Sequence, residues 1–199
     1  LVAVDDGGRI QALIGGRDHA QSQVNLALGK EGGGSGRAPG STFKPIALAA
    51  YVDAGNSVSS KFWGPPIITF PKANDGEDWD VHNYEDRDWG ETTLEYATWH
   101  SVNTAYAQVM QQITAERFAA MALRLGIRSE VRQVPSAVLG TSEVSVLDMA
   151  TAYSTFANHG TLKRPYIVRR VEAADGTVLY DVADDPAYAP QETIRPEVA

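Results

Sequence analysis

Two tight-turn signatures sit at opposite ends of the chain with a long helix-forming stretch between them, and that order limits the fold more than any other feature. Near the start, LVAV and RIQALI flank Asp5-Asp6-Gly7-Gly8; near the end, YIVRRVEA and TVLYDV flank Asp175-Gly176. Glycine takes positive φ at little steric cost, so each turn can reverse the chain and pair its flanks. The predicted strands are Leu1 to Val4 with Arg9 to Ile14, and Tyr166 to Ala173 with Thr177 to Val182. Between them the cues are helical. Thr92 and Glu95 form a capping-box pattern before LEYATWH, Thr114 precedes AERFAAMALRL with Gly126 as its stop, and Ser145 with Asp148 precedes VLDMATAYSTFANHG. Helices inserted between strands predict an α+β domain in which an antiparallel sheet is packed with helices. Residues 29 to 40 and 64 to 91, rich in Gly, Pro, Asp and Asn, read as loops rather than linkers, and no internal repeat is visible.

Composition narrows the partners. The 199 residues are 43% hydrophobic and 21% charged with a formal net charge of −8, a folded chain without the clustered Lys and Arg that nucleic acid or anionic membrane selects. With no cysteine there is no disulfide, thiolate metal site or thiol nucleophile. No apolar run approaches the roughly 18 residues of a membrane span, and the LVAVDDGG start lacks a basic n-region, so no signal peptide is expected. The acidic stretch NDGEDWDVHNYEDRDWGE, residues 74 to 91, does not follow the alternating carboxylates of a calcium loop and reads as a solvated loop. Its Trp79, Tyr84 and Trp89 are expected to anchor that loop rather than line a groove. His19, His82, His100 and His159 are scattered without ligand spacing, so no metal is expected.

The chemistry-bearing residues lie in GRAPGSTFKPIALAAYVDAG. Proline is tolerated in the first turn of a helix, where its missing N–H is no loss, so Pro45 places a helix start near Ser41 and Gly55 is a suitable stop. Residues three apart share a helix face, which brings the Ser41 hydroxyl toward the Lys44 amine. A serine needs a proton acceptor to attack, and a lysine can be one where burial or nearby positive charge makes its neutral form accessible. The start of the helix would also place backbone N–H groups near a developing oxyanion. Taken alone, most such pairs are an N-cap beside a solvated lysine, and the Gly-Lys-Ser/Thr order of a phosphate loop is absent. Further on, SVNTAYAQVMQQ puts Ser101 and Asn103 where a turn can aim both side chains one way, suited to proton relay and to holding an amide; here the alternative is an N-cap.

Taken in order, GRAPGSTFKP, SVNTAYAQV and LGTSEVSVLDMATAYSTFANHGTLKRPYIV resemble the transpeptidase domain of penicillin-binding proteins, most closely that of the bifunctional peptidoglycan synthases. The likeness runs from VAVDDGGRIQALIGG to IRPEVA and implies a serine D,D-transpeptidase of cell-wall synthesis that uses no cofactor. It assigns Ser41 as nucleophile toward the D-Ala-D-Ala end of a peptidoglycan stem peptide, Lys44 as its base and Ser101 as the relay to the leaving amine. Asn103 would hold both the substrate amide and Lys44. β-Lactam antibiotics would acylate Ser41, and the site would face the outer side of a bacterial membrane, with any anchor outside this chain. A D-Ala-D-Ala carboxypeptidase or β-lactamase-like hydrolase, and a non-catalytic penicillin-binding sensor, share the same signature. The family's Lys-Thr-Gly segment is missing, since none of the lysines at 30, 44, 61, 72 and 163 begins one. The resemblance thus implies that residues 1–199 are a partial domain, cut before that strand, inactive alone and complemented by a C-terminal fragment that carries it.

Overall fold

The computed structural model describes residues 1–74 and 76–199. In chain order the elements are β1 (Val2–Val4), β2 (Ile10–Leu13), α1 (Lys44–Asp53), β3 (Lys61–Trp63), β4 (Ile67–Asn74), β5 (Glu77–His82) and β6 (Glu91–Thr93). There follow α2 (Leu94–Trp99), α3 (Asn103–Ile113), α4 (Ala115–Arg124), α5 (Val146–Ala157), β7 (Thr161–Leu162), β8 (Arg170–Glu172), β9 (Val178–Asp181) and β10 (Gln191–Glu192). They form two compact units, one of Leu1–Arg37, Leu123–Ser129 and Val144–Ala199, the other of Ala38–Ala122 and Glu130–Glu143.

In the first unit both expected hairpins form, β1 with β2 and β8 with β9, and α5 packs on β1. The capping box closes as read: the Ser145 hydroxyl accepts from the Asp148 N–H, and Asp148 accepts from the Ser145 N–H. The α+β class therefore holds, but among the described residues the antiparallel pairing is divided among five two-stranded ladders instead of one sheet. The opening hairpin meets the later segment at a single parallel bridge, where Ile10 N–H donates to Tyr166 O at 2.8 Å and Tyr166 N–H to Gly8 O at 3.0 Å. Pro165, next to Tyr166, has no N–H with which to extend that contact.

The second unit is built on α1 and α3, which pack together over a core of Ile46, Tyr106, Met110 and Ile113, with Phe43 set edge-on to Phe118 at 5.8 Å between centroids. Two expectations change here. Residues 64 to 91 are not simply a loop: β4 and β5 pair from Ile67↔His82 to Phe70↔Trp79, and Trp79 and Val81 turn inward on alternate positions. Asp75, part of the acidic stretch, lies outside the described residues. Trp79 is an anchor, stacked on Phe70 at 5.4 Å, whereas Tyr84 is 82% exposed and anchors nothing. The cap of α2 is Thr93, the last residue of β6, whose hydroxyl accepts from Tyr96 N–H; Thr92 lies one residue further back in the strand, paired with Phe62.

Candidate active site

The four residues singled out in the sequence, Ser41, Lys44, Ser101 and Asn103, converge in the second unit. Their assembly starts with Pro45. An α-helix would bond the N–H of residue 45 to the carbonyl of residue 41, and proline has none to give. The Lys44 N–H takes that carbonyl instead, an i→i+3 bond, and Gly40–Phe43 forms a 3-10 turn that runs directly into α1 at Lys44. The helix thus begins as expected around Ser41, but with the tighter turn, in which side chains at i and i+3 eclipse. Ser41 Oγ consequently stands 3.0 Å from Lys44 Nζ.

Ser101 lies between α2 and α3 with φ 55°, a left-handed conformation that costs a non-glycine residue about 1 kcal/mol or more. The turn brings both its carbonyl and its hydroxyl oxygen to 2.8 Å from Nζ. Asn103, the first residue of α3, places Oδ1 2.6 Å from Nζ while its Nδ2 donates to His82 O at 2.8 Å. That second bond fixes the carboxamide orientation, because only the NH2 end can donate to a carbonyl. One turn on, the Tyr106 ring lies under the amine, 5.7 Å from Nζ to centroid. Sequence reasoning passed over Tyr106, although its i+3 spacing from Asn103 puts both on one helix face.

Burial divides the cluster. Lys44 is 2% exposed, whereas Ser41 and Ser101 are exposed and Asn103 is intermediate. Every oxygen bonded to Nζ is neutral, and burial lowers the Lys44 pKa from 10.5 to about 8. An accessible hydroxyl therefore touches a buried amine whose neutral form is within reach of neutral pH. In that form Nζ carries two hydrogens, and two of its neighbours, Ser101 O and Asn103 Oδ1, can only accept. Satisfying both leaves the lone pair facing the hydroxyls of Ser41 and Ser101. Among the described residues no group of three His, Asp or Glu side chains is arranged to hold a metal ion.

Residues 2–199 match the penicillin-binding protein transpeptidase domain, and the chain belongs to that family. It is 33% identical to penicillin-binding protein 1A of Aquifex aeolicus over 181 residues, covering 90% of this chain and 24% of that protein. To penicillin-binding protein 1A of Pseudomonas aeruginosa it is 32% identical over 196 residues, 98% of this chain and 23% of that one. The structure of PonA1 from Mycobacterium tuberculosis in complex with penicillin V matches with a TM-score of 0.81 at 26% identity, over 99% of this chain and 52% of that chain. The chain thus spans about a quarter of the length of the curated relatives it matches.

Proposed function

We propose that the protein carrying this domain is a serine D,D-transpeptidase that cross-links peptidoglycan stem peptides and is acylated by β-lactams. The observation that carries this reading is the buried, neutral-ligated Lys44 amine, 3.0 Å from the exposed Ser41 hydroxyl and 2.8 Å from that of Ser101. Neutral Lys44 takes the Ser41 proton as Oγ bonds to the carbonyl carbon of the penultimate D-alanine. The C–N bond to the terminal D-alanine breaks, and Ser101, in contact with Nζ, relays the proton to the departing amine. An amine from a neighbouring stem peptide then attacks the ester, forming the cross-link and returning the proton to Ser41. Asn103 keeps the Lys44 hydrogens occupied, so that the lone pair stays directed at the hydroxyls. In a β-lactam the ring amide takes the place of the scissile bond, and the opened ring remains attached to Ser41.

No Lys-Thr-Gly tripeptide occurs in the 199 residues, and we propose that a segment carrying one completes the site, with residues 1–199 inactive without it. An intact mass showing only the 199-residue species in an active sample would overturn that part. No helix among the described residues is long and apolar enough to cross a membrane. The proposed location, on the extracytoplasmic face of a bacterial membrane, rests on the family.

Fluorescent penicillin added to the full-length protein tests the reading. A stable adduct that maps to the peptide containing Ser41 and disappears in Ser41→Ala is expected. Absence of any adduct in the wild type would exclude a serine acyl-enzyme, and rapid release of the label would point to a hydrolase. Stem peptide with an acceptor amine should yield the cross-linked product.

A further inference from the structure

The start of α3, which carries Asn103, has no cap of its own: Val102 stands at the N-cap position and offers no side-chain acceptor. The orphan N–H of Thr104 is satisfied from elsewhere in the chain. Asn83, directly after β5, accepts from Thr104 N–H at 3.1 Å and faces the Thr104 hydroxyl at 3.2 Å through the same Oδ1. Its Nδ2 donates to Pro65 O at 2.8 Å and Arg87 O at 2.9 Å, with Gly64 O at 3.5 Å. Asn83 is 4% exposed, and both ends of its amide are used. Its neighbour His82 contributes the carbonyl that holds Asn103 Nδ2. Two successive residues therefore grip two successive residues of α3, His82 on Asn103 and Asn83 on Thr104.

We propose that Asn83 is a positioning residue of the acylation site, acting through the Asn103 carboxamide. Without the Thr104 bond, the first turn of α3 is free to move against the end of β5. The His82 carbonyl then no longer fixes which end of the Asn103 amide meets Lys44. No other side chain type of similar size does this. Aspartate keeps the acceptor but cannot donate to the Pro65 and Arg87 carbonyls, and leucine loses both functions.

This inference rests on the proposed acyl transfer, and a double-mutant cycle separates the two. In the full-length protein the rate of acylation by fluorescent penicillin is measured for the wild type, Asn83→Ala, Asn103→Ala and the double variant. Asn83→Ala alone is expected to slow acylation about 10-fold or more, but less than about 3-fold once Asn103 is already alanine. The pH midpoint of acylation should be displaced equally in both single variants and in the double variant. Equal slowing in the two backgrounds, with an unmoved midpoint in Asn83→Ala, would show a merely structural role and overturn the proposal. If Asn83→Ala does not fold, Asn83→Asp, which keeps an acceptor for Thr104 N–H but cannot donate to the Pro65 and Arg87 carbonyls, enters the same cycle and is judged by the same non-additivity. A wild type that forms no adduct contradicts the acyl-transfer reading itself, and the proposal falls with it.

Discussion

The two units each bury an ionisable side chain, and their surroundings differ in kind. Asp148, 7% exposed at the start of α5, accepts from the N–H groups of Arg128 at 2.9 Å, Ser129 at 3.2 Å and Ser145 at 3.3 Å, and from the Ser129 hydroxyl. Three of its four donors are backbone amides, which can only donate. Lys44, 2% exposed, is met by two oxygens that only accept and by two hydroxyls able to do either, one of them on exposed Ser41. A carboxylate ringed by donors that cannot accept ties chain segments together. An amine ringed by neutral oxygens, with hydroxyls on one side, can lose its proton and take another's. Burial alone does not distinguish structural from reactive groups; the exchangeability of the hydrogen-bond partners does.

Substitutions should pull these roles apart. The largest effect is expected for Lys44→Met, which removes the proposed base and should slow acylation by about 10³-fold, while the melting temperature moves little, because a costly buried charge disappears along with its bonds. Asp148→Ala should do the opposite. Three backbone N–H groups lose their acceptor, for about 2–4 kcal/mol of stability, yet the folded fraction should acylate at nearly the wild-type rate. Gly140→Ala should damage both properties, since Gly140 has φ 73° and a Cβ there would meet Gly40 O, beside Ser41, at 2.2 Å. The smallest effect is expected for Ser145→Ala, which loses one cap bond, worth about 1 kcal/mol, and should leave the acylation rate unchanged. Thermal melts and single-turnover labelling of each variant provide both axes of the comparison.

The Asp148 side of that comparison was legible in the sequence as far as the capping box, because Ser145 and Asp148 are local to one helix end. The sequence carried no sign that residues 128 and 129 would also donate to Asp148. In the candidate site, Ser-x-x-Lys and Ser-x-Asn marked four side chains that the fold brings together. What joins them is not local: Lys44 meets Ser101 across 57 positions, and Asn103 meets His82 across 21. The misread hairpin shows why composition misleads. Only Trp79 and Val81 carry the alternation of β5, among Glu, Asp and His that stay at the surface. The shift of the α2 cap from Thr92 to Thr93 arises because either of two adjacent threonines can cap, and the helix begins one residue later than the Thr92–Glu95 spacing implies, at Leu94. Asn83 was invisible for a related reason, since a buried amide that caps a distant helix leaves no spacing pattern.

The state of Lys44 also has a signature in stability. Its pKa of about 8 lies below the 10.5 of the unfolded chain, so between those values the unfolded chain binds more protons and stability rises with pH. This contribution is complete above 10.5 and lost as the pH falls through about 8. The stability difference between wild type and Lys44→Met should therefore shift in favour of the wild type across that window. The most direct measurement is the pH dependence of Ser41 acylation by penicillin in the full-length protein. With neutral Lys44 as the base, the rate should climb about tenfold per pH unit below a midpoint near 8 and level off above it. A rate that is flat from pH 6 to 10, or that Lys44→Met leaves unchanged, would contradict the assignment of Lys44 as the base.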